Sequence, residues 1–261
     1  MSLQKPSQQK PHTRSLSVTV IATLLTILFF LLVGYVVQKN LYQSRSYITH
    51  PKMGLPIVPP DPIPPQESNT TELPRTAQLS VPFTPQAPTA NWDELHNESC
   101  EEASSIMAHA FFTNISSLPA EYVESELTAL TAWEDTQFGY HLDIDTNETA
   151  TLLKEFYKLN AEIKPLSKNA IKQALSENKL VLLPAHGQLL KNPYFKQPGP
   201  PYHMLVITGY TEDTFITNDP GTKRGYNYPY TYDILYKSSG TWSHDLHAVD
   251  LNIKNIIIVS K

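Results

Sequence analysis

A thiol, an imidazole and a carboxylate stand at positions in this sequence where they can act together. Cys100 is the only cysteine in 261 residues, so it forms no intramolecular disulfide and belongs to no multi-cysteine metal site. It opens a helical pattern, because Cys100, Ala103, Met107, Ala110 and Phe111 recur at helical spacing and define one buried face. Asn97 or Ser99 supplies the N-cap, and Glu101 and Glu102 put acid into the first turn. A thiol at the positive end of a helix ionises more readily, which is what a cysteine nucleophile needs. His203 opens the strand-like run HMLVITGY, and Asp219 closes the next, TFITND, sixteen residues on. If these runs pair through a turn near Glu212 and Asp213, their far ends lie side by side. A base that reaches the thiol and a carboxylate that fixes the base's tautomer complete a nucleophilic triad.

The elements around these residues fall into two groups. A short strand, QLSVPF, leads through a proline-rich loop to the Cys100 helix. A second helix starts at Pro119 and buries Val123, Leu127 and Leu130. A third follows Asp145, where Asp145 and Glu148 have capping-box spacing, and buries Leu152, Leu153, Phe156 and Leu159. The fourth runs from Ser167 to about Asn178. Beyond Lys179 the texture becomes β-rich: LVLLPAHG, HMLVITGY, TFITND and HAVDLNIKNIIIVS, separated by turn residues. A helical half followed by an antiparallel sheet half gives an α+β domain over residues 76–261.

The chain before that domain has a different character. Residues 1–15 are a basic polar tail, and residues 16–37, LSVTVIATLLTILFFLLVGYVV, are uncharged and long enough to cross a bilayer as a helix. The exit VVQKNLYQS lacks a small-x-small cleavage pattern, so the span is read as a signal anchor. Basic residues on its two sides balance; single N-terminal anchors usually export the chain beyond them, which places the domain outside the cytoplasm. Residues 38–75 crowd in prolines, which hold an extended stalk and build no core. Residues 1–75 carry seven basic against three acidic side chains, and residues 76–261 carry thirteen against twenty-two. An acidic globular part argues against a nucleic-acid partner. His244 and His247 form an HxxH pair without a further ligand set, so neither a metal nor another cofactor is expected.

The order VPFTPQAP, Trp92, SCEEAS, YHMLVITGY and NDPG resembles the bacteriocin-leader-peptidase-like (double-glycine peptidase-like) cysteine peptidases of the papain superfold, over most of residues 79–260. The resemblance implies a papain-like fold and a thiolate–imidazolium mechanism, with Cys100 as nucleophile, His203 as base, Asp219 as its orienting partner and Gln86 as oxyanion-hole donor. In one respect the sequence departs from that family: its nucleophile is commonly followed by Gly-Pro, where Glu101 and Glu102 stand here. They are read as first-turn acids directed away from the thiol. The proline-aromatic run LKNPYFKQPGPPYH and the basic turn GTKRGYNYPYTYD flank His203 and Asp219, and Trp92, Tyr202, Lys223 and Arg224 are the candidates for substrate contact. The expected activity is hydrolysis of peptide bonds by a membrane-anchored, single-pass cysteine peptidase. Its alternatives are an inactive papain-like module that binds peptides or envelope components, and an acyltransferase or cell-wall amidase with the same triad.

Overall fold

A computed structural model describes residues 73–261. The expected tail, membrane span and nearly all of the stalk lie outside the described residues, among which no helix is long and apolar enough to cross a membrane.

The domain is built on an antiparallel sheet with helices on both faces. Its strands are β1 (Ala77–Gln78), β2 (Asn160–Pro165), β3 (Leu180–Ala185), β4 (His203–Tyr210), β5 (Thr214–Asn218), β6 (Tyr228–Thr231) and β9 (Asn255–Ser260). Their order across the sheet is β2-β9-β3-β4-β5-β6, with β1 added beside β4. Strands β7 (Thr241–Ser243) and β8 (Ala248–Asp250) form a separate hairpin. The helices are α1 (Glu94–Asn97), α2 (Cys100–Thr113), α3 (Ala120–Gln137), α4 (Thr146–Glu155), α5 (Lys168–Ser176), α6 (Gly187–Leu190) and α7 (Tyr232–Ser238).

Two apolar clusters lie on opposite sides of the central strands. Met204, Val206 and Leu182 join Ile106, Met107, Leu127 and Leu152 under α2, α3 and α4. Leu205, Ile207 and Val181 join Ile171, Leu175 and Leu235 under α5 and α7. Burial on both faces is why β3 and β4 read as continuous apolar runs rather than alternating ones. Each such Leu or Ile side chain removed from water contributes about 1.5–3 kcal/mol before chain entropy is subtracted.

The α+β expectation holds, but its division into a helical half and a sheet half is too simple. Strand β2 lies within the supposed helical half, and α7 follows a strand in the other. Helix starts match their signals: Pro119 caps α3, the Asp145–Glu148 capping box is fully formed on α4, and the Ser167 side chain accepts from Ala170 N–H. Of QLSVPF only Gln78 is in a strand, as the second residue of β1. Helix α2 departs most from its amphipathic reading. Cys100 through Ala108 are all buried, Glu101, Glu102, Ser104 and Ser105 included, because α2 is the central helix, packed on β4 and flanked by α3 and α4.

Candidate active site

Hairpin geometry brings His203 and Asp219 together. Strands β4 and β5 pair Val206 with Asn218 and Ile207 with Thr217, so the residue after β5 lies beside the start of β4. There His203 Nε2 lies 2.8 Å from Asp219 Oδ1, with both side chains buried. The carboxylate has no free lone pair to spare: Gly221 N–H donates to Oδ1 at 3.0 Å, and the Tyr230 hydroxyl and Asn192 Nδ2 donate to Oδ2 at 2.7 and 3.0 Å. Burial alone would raise its pKa; the His203 charge and hydrogen bond, with the Tyr230 and Gly221 donors, reverse that and hold it below the ordinary carboxylate value. Asp219 therefore stays charged and fixes Nε2 as the protonated ring nitrogen. Nδ1 is left buried with no partner in the protein, the free lone pair a general base requires.

The turn after Asp219 is cut to this purpose by two glycines. A Cβ at Gly225 would lie 1.8 Å from the Asp219 carbonyl oxygen, so only glycine lets its carbonyl accept the Asp219 N–H at 3.0 Å. A Cβ at Gly221 would lie 2.7 Å from Phe195 Cε1 and 2.9 Å from His203 Cε1. Phe195 packs edge-on against the imidazole, with ring centroids 5.2 Å apart.

Cys100 is the first residue of α2, and Ser104, one turn on, donates to Met204 O at 3.4 Å. That bond sets the start of the Cys100 helix against the start of β4. The thiol lies in the cluster containing Tyr202, Met204 and Val206. Strand alternation turns His203 toward the other face, with Leu205 and Phe195. Thiol and imidazole can therefore meet only where the strand begins, and here the thiol donates elsewhere, to Glu101 Oε2 at 2.8 Å. The structure brings His203 to Asp219 but holds no hydrogen bond between Cys100 and His203. The expectation of a readily ionised thiol is reversed in this state. Burial first, then the Glu101 charge and hydrogen bond, with Glu102 and Asp143 behind, push the Cys100 pKa well above its ordinary value. Those effects outweigh the helix dipole, typically about 0.3–1 kcal/mol for an exposed group.

Glu101 overturns the reading of acids directed away from the thiol, because the thiol bonds to it, whereas Glu102 faces Glu134. Both are fully buried. Glu102 lies beside the buried Glu134 of α3, and none of the four carboxyl oxygens has a hydrogen-bond partner; burial lifts Glu102 to about 7, and burial with the Glu102 charge lifts Glu134 to about 12. Asp143 rises to about 7, through burial and the neighbouring Glu98. The sulfur thus sits at the edge of a patch of buried carboxyl groups whose pKa values are all raised.

Gln86 is also placed differently from expectation. Its Nε2 donates to His96 O at 2.8 Å and to Asn97 O at 2.9 Å, so both amide hydrogens are engaged by the end of α1, while its backbone N–H donates to Pro220 O at 2.9 Å. In this state Gln86 ties α1 to the Asp219 turn and offers no donor above the thiol. Oε1 is left buried and unpartnered. Gln86 lines a cleft of about 650 Å³ together with Trp92, Phe195, Lys196, Pro198 and Lys223. Trp92, 47% exposed, and Lys223, both candidates for substrate contact, line this cleft. Tyr202 does not: it is buried, and its hydroxyl donates to Ile144 O at 3.2 Å, away from the cleft. Arg224 lies over the Tyr194 ring, 4.9 Å from its centroid, at the cleft's rim.

The HxxH pair acquires neighbours the sequence did not reveal. His244, Asp145 and Glu148 place ligand-type atoms within 4.8 Å of one another. Those atoms are already bound: Asp145 and Glu148 cap α4, and His244 Nε2 pairs with Glu148 Oε2 at 2.9 Å. His247 takes no part. Asn192 and Tyr230, which hold Asp219, are absent from the site read from sequence. Tyr230 had a signal in the tyrosines of NYPYTYD, whereas a single Asn in a proline loop gives none.

The sequence matches the Peptidase_C39 like family over residues 78–245, well over half the chain. Among solved structures, the fold is similar to the crystal structure of a proposed C39-like peptidase from Bacillus anthracis, with a TM-score of 0.47 and 14% sequence identity, over 71% of this chain and 98% of that one. That likeness is too distant to bear on the chemistry. No curated protein matches the sequence.

Proposed function

This chain belongs to the Peptidase C39-like family, and on that footing we propose that it is a papain-like cysteine peptidase, held at the membrane by residues 16–37 with its domain outside the cytoplasm. Cys100 is the nucleophile, His203 the general base and Asp219 the group that fixes the imidazole. The observation that carries this reading is the His203–Asp219 pair: its charged, fully bonded carboxylate leaves Nδ1 buried and without a partner at the start of β4, the strand on which the Cys100 helix packs.

For attack, the thiol leaves Glu101 and turns to Nδ1, which takes its proton. The thiolate then bonds to the scissile carbonyl carbon, and the peptide nitrogen departs with the proton from Nδ1. Water, deprotonated by the same nitrogen, cleaves the Cys100 thioester and releases the acid. Ser99 provides no side-chain cap, its hydroxyl donating instead to Leu95 O at 2.7 Å, which keeps side-chain competition away from the helix's first N–H groups, the natural donors to an oxyanion.

The Glu101 bond supports a second reading, an inert module that binds peptides without cleaving them. Labelling of the full-length chain with a peptidyl electrophile near neutral pH decides between the two. Labelling confined to Cys100 and reduced at least about 100-fold by His203→Ala is expected for the triad; equal labelling of wild type and His203→Ala would remove His203 from the mechanism.

A further inference from the structure

We propose that the cleft in front of His203 holds a carboxylate-bearing peptide segment, gripped by Lys196, Lys223 and Arg224. The inference rests on the peptidase reading only for the fate of the bound peptide, not for its binding.

The cleft lies between the Gln86–Asn97 segment and the Tyr194–Pro200 segment, over a floor formed by residues 221–223. Lys196 and Lys223 are its only charged lining residues, in a protein whose net charge is −5. Among the described residues neither lysine makes an ion pair, nor does Arg224, whose guanidinium is held at the rim by the Tyr194 ring. Three unpaired cations beside one cleft, with no acid in its lining, select for negative charge on the occupant. The size of the cleft and its apolar walls of Trp92, Phe195, Pro198 and Pro200 suit a peptide with side chains rather than a bare inorganic anion. Gln86, a residue of the cleft wall, carries a buried acceptor, Oε1, that has no partner in the protein. The floor is in contact with the chemistry: a methyl group at Gly221 would come within 2.9 Å of His203 Cε1. The carboxylate therefore belongs within a few residues of the reacting bond.

The carboxylate could be an internal Asp or Glu or the peptide's own C-terminus, and the experiment separates them. Fluorescein-labelled decapeptide pools with Glu, Gln or Lys fixed at one position, each with a free or an amidated C-terminus, are titrated by anisotropy against the full-length Cys100→Ala chain. Hydrolysis of the same pools is followed with the wild type. Glu pools should bind about fivefold to tenfold tighter than Gln pools, and Lys pools weakest, as two or three partly exposed ion pairs allow. If the internal residue is held, amidation leaves that order intact. If the C-terminus is held, amidation weakens all three pools alike. Lys196→Glu/Lys223→Glu should reverse the preference for negative charge, and Lys154→Glu on α4 should not. Equal binding of all pools whatever their termini, or a preference untouched by the lysine reversals, overturns the proposal. Selective binding without hydrolysis would leave the cleft assignment standing and remove the peptidase reading; hydrolysis of every pool at equal rates would do the opposite.

Discussion

Replacing Glu134 with glutamine should stabilise the protein at neutral pH and flatten its dependence on pH. Glu134 and Glu102 are fully buried neighbouring carboxyls, and neither has a hydrogen-bond partner. Glu134, lifted to about 12 by burial and then by Glu102, keeps its proton, whereas Glu102 is lifted to about 7 by burial. In the unfolded chain both ionise near the ordinary value of 4.5. Between those limits the folded state binds more protons, so the contribution of the pair to stability is complete below pH 4.5 and is lost as pH rises. A retained proton costs about 1.4 kcal/mol per pH unit, so at pH 7 Glu134 alone costs about 3 kcal/mol relative to a group that does not titrate. The glutamine amide supplies an N–H to Glu102 in place of the acid proton and carries no such cost. At roughly 2–4 °C per kcal/mol for a domain of this size, the variant should melt about 6–12 °C higher at pH 7, and level with wild type near pH 4.5. Melting of both full-length chains by calorimetry from about pH 4.5 to about 7.5 tests this. Parallel pH slopes, or a variant that melts lower at neutral pH, would refute a proton retained at Glu134.

Other perturbations act at the thiol and its base. Glu101→Gln removes the carboxylate from the sulfur's hydrogen-bond partner and should speed alkylation of Cys100 at neutral pH about tenfold, the equivalent of one pKa unit; an unchanged iodoacetamide rate would show that Glu101 does not restrain the thiol. Gly221→Ala places a methyl against Phe195 and His203 and should cost about 1–3 kcal/mol in stability, with a clear fall in Cys100 labelling; unaltered labelling would show that the imidazole does not depend on that close approach. Asp219→Asn keeps most of the packing but frees the His203 tautomer, and should lower peptide hydrolysis by about 10²–10⁴-fold. A tenfold loss or less would demote Asp219 to a structural role.

The His203–Asp219 pair was legible because a hairpin's register follows from a run of alternating partners and a turn, and both were written in HMLVITGYTEDTFITND. The caps of α3, α4 and α5 were legible for a similarly local reason, each being fixed within four residues. Strand β2 was not, because NAEIKP is an edge strand whose charged residues hide a short pattern, and β6 carries Pro229, which only an edge tolerates. Glu101 and Glu102 were misread because position in a helix's first turn says which end they occupy, not what packs over it. The donors of Gln86 are unreadable for the same reason: a side-chain amide between two chain segments takes whichever carbonyls the fold brings to it.

The place of β9 in the sheet has a consequence for how the molecule assembles. Residues 255–260 insert between β2 and β3, pairing Ile257 with both Ile163 and Leu182. Until that segment arrives, β2 has no strand partner and β3 has an open edge, so the apolar layer under α4 cannot close. The early part of the chain must then wait, partly assembled and with exposed strand edges, for its last strand. A nascent form lacking those residues presents an aggregation-prone sheet, and the conformation that positions Asp219 and His203 is completed late, by a strand that touches neither.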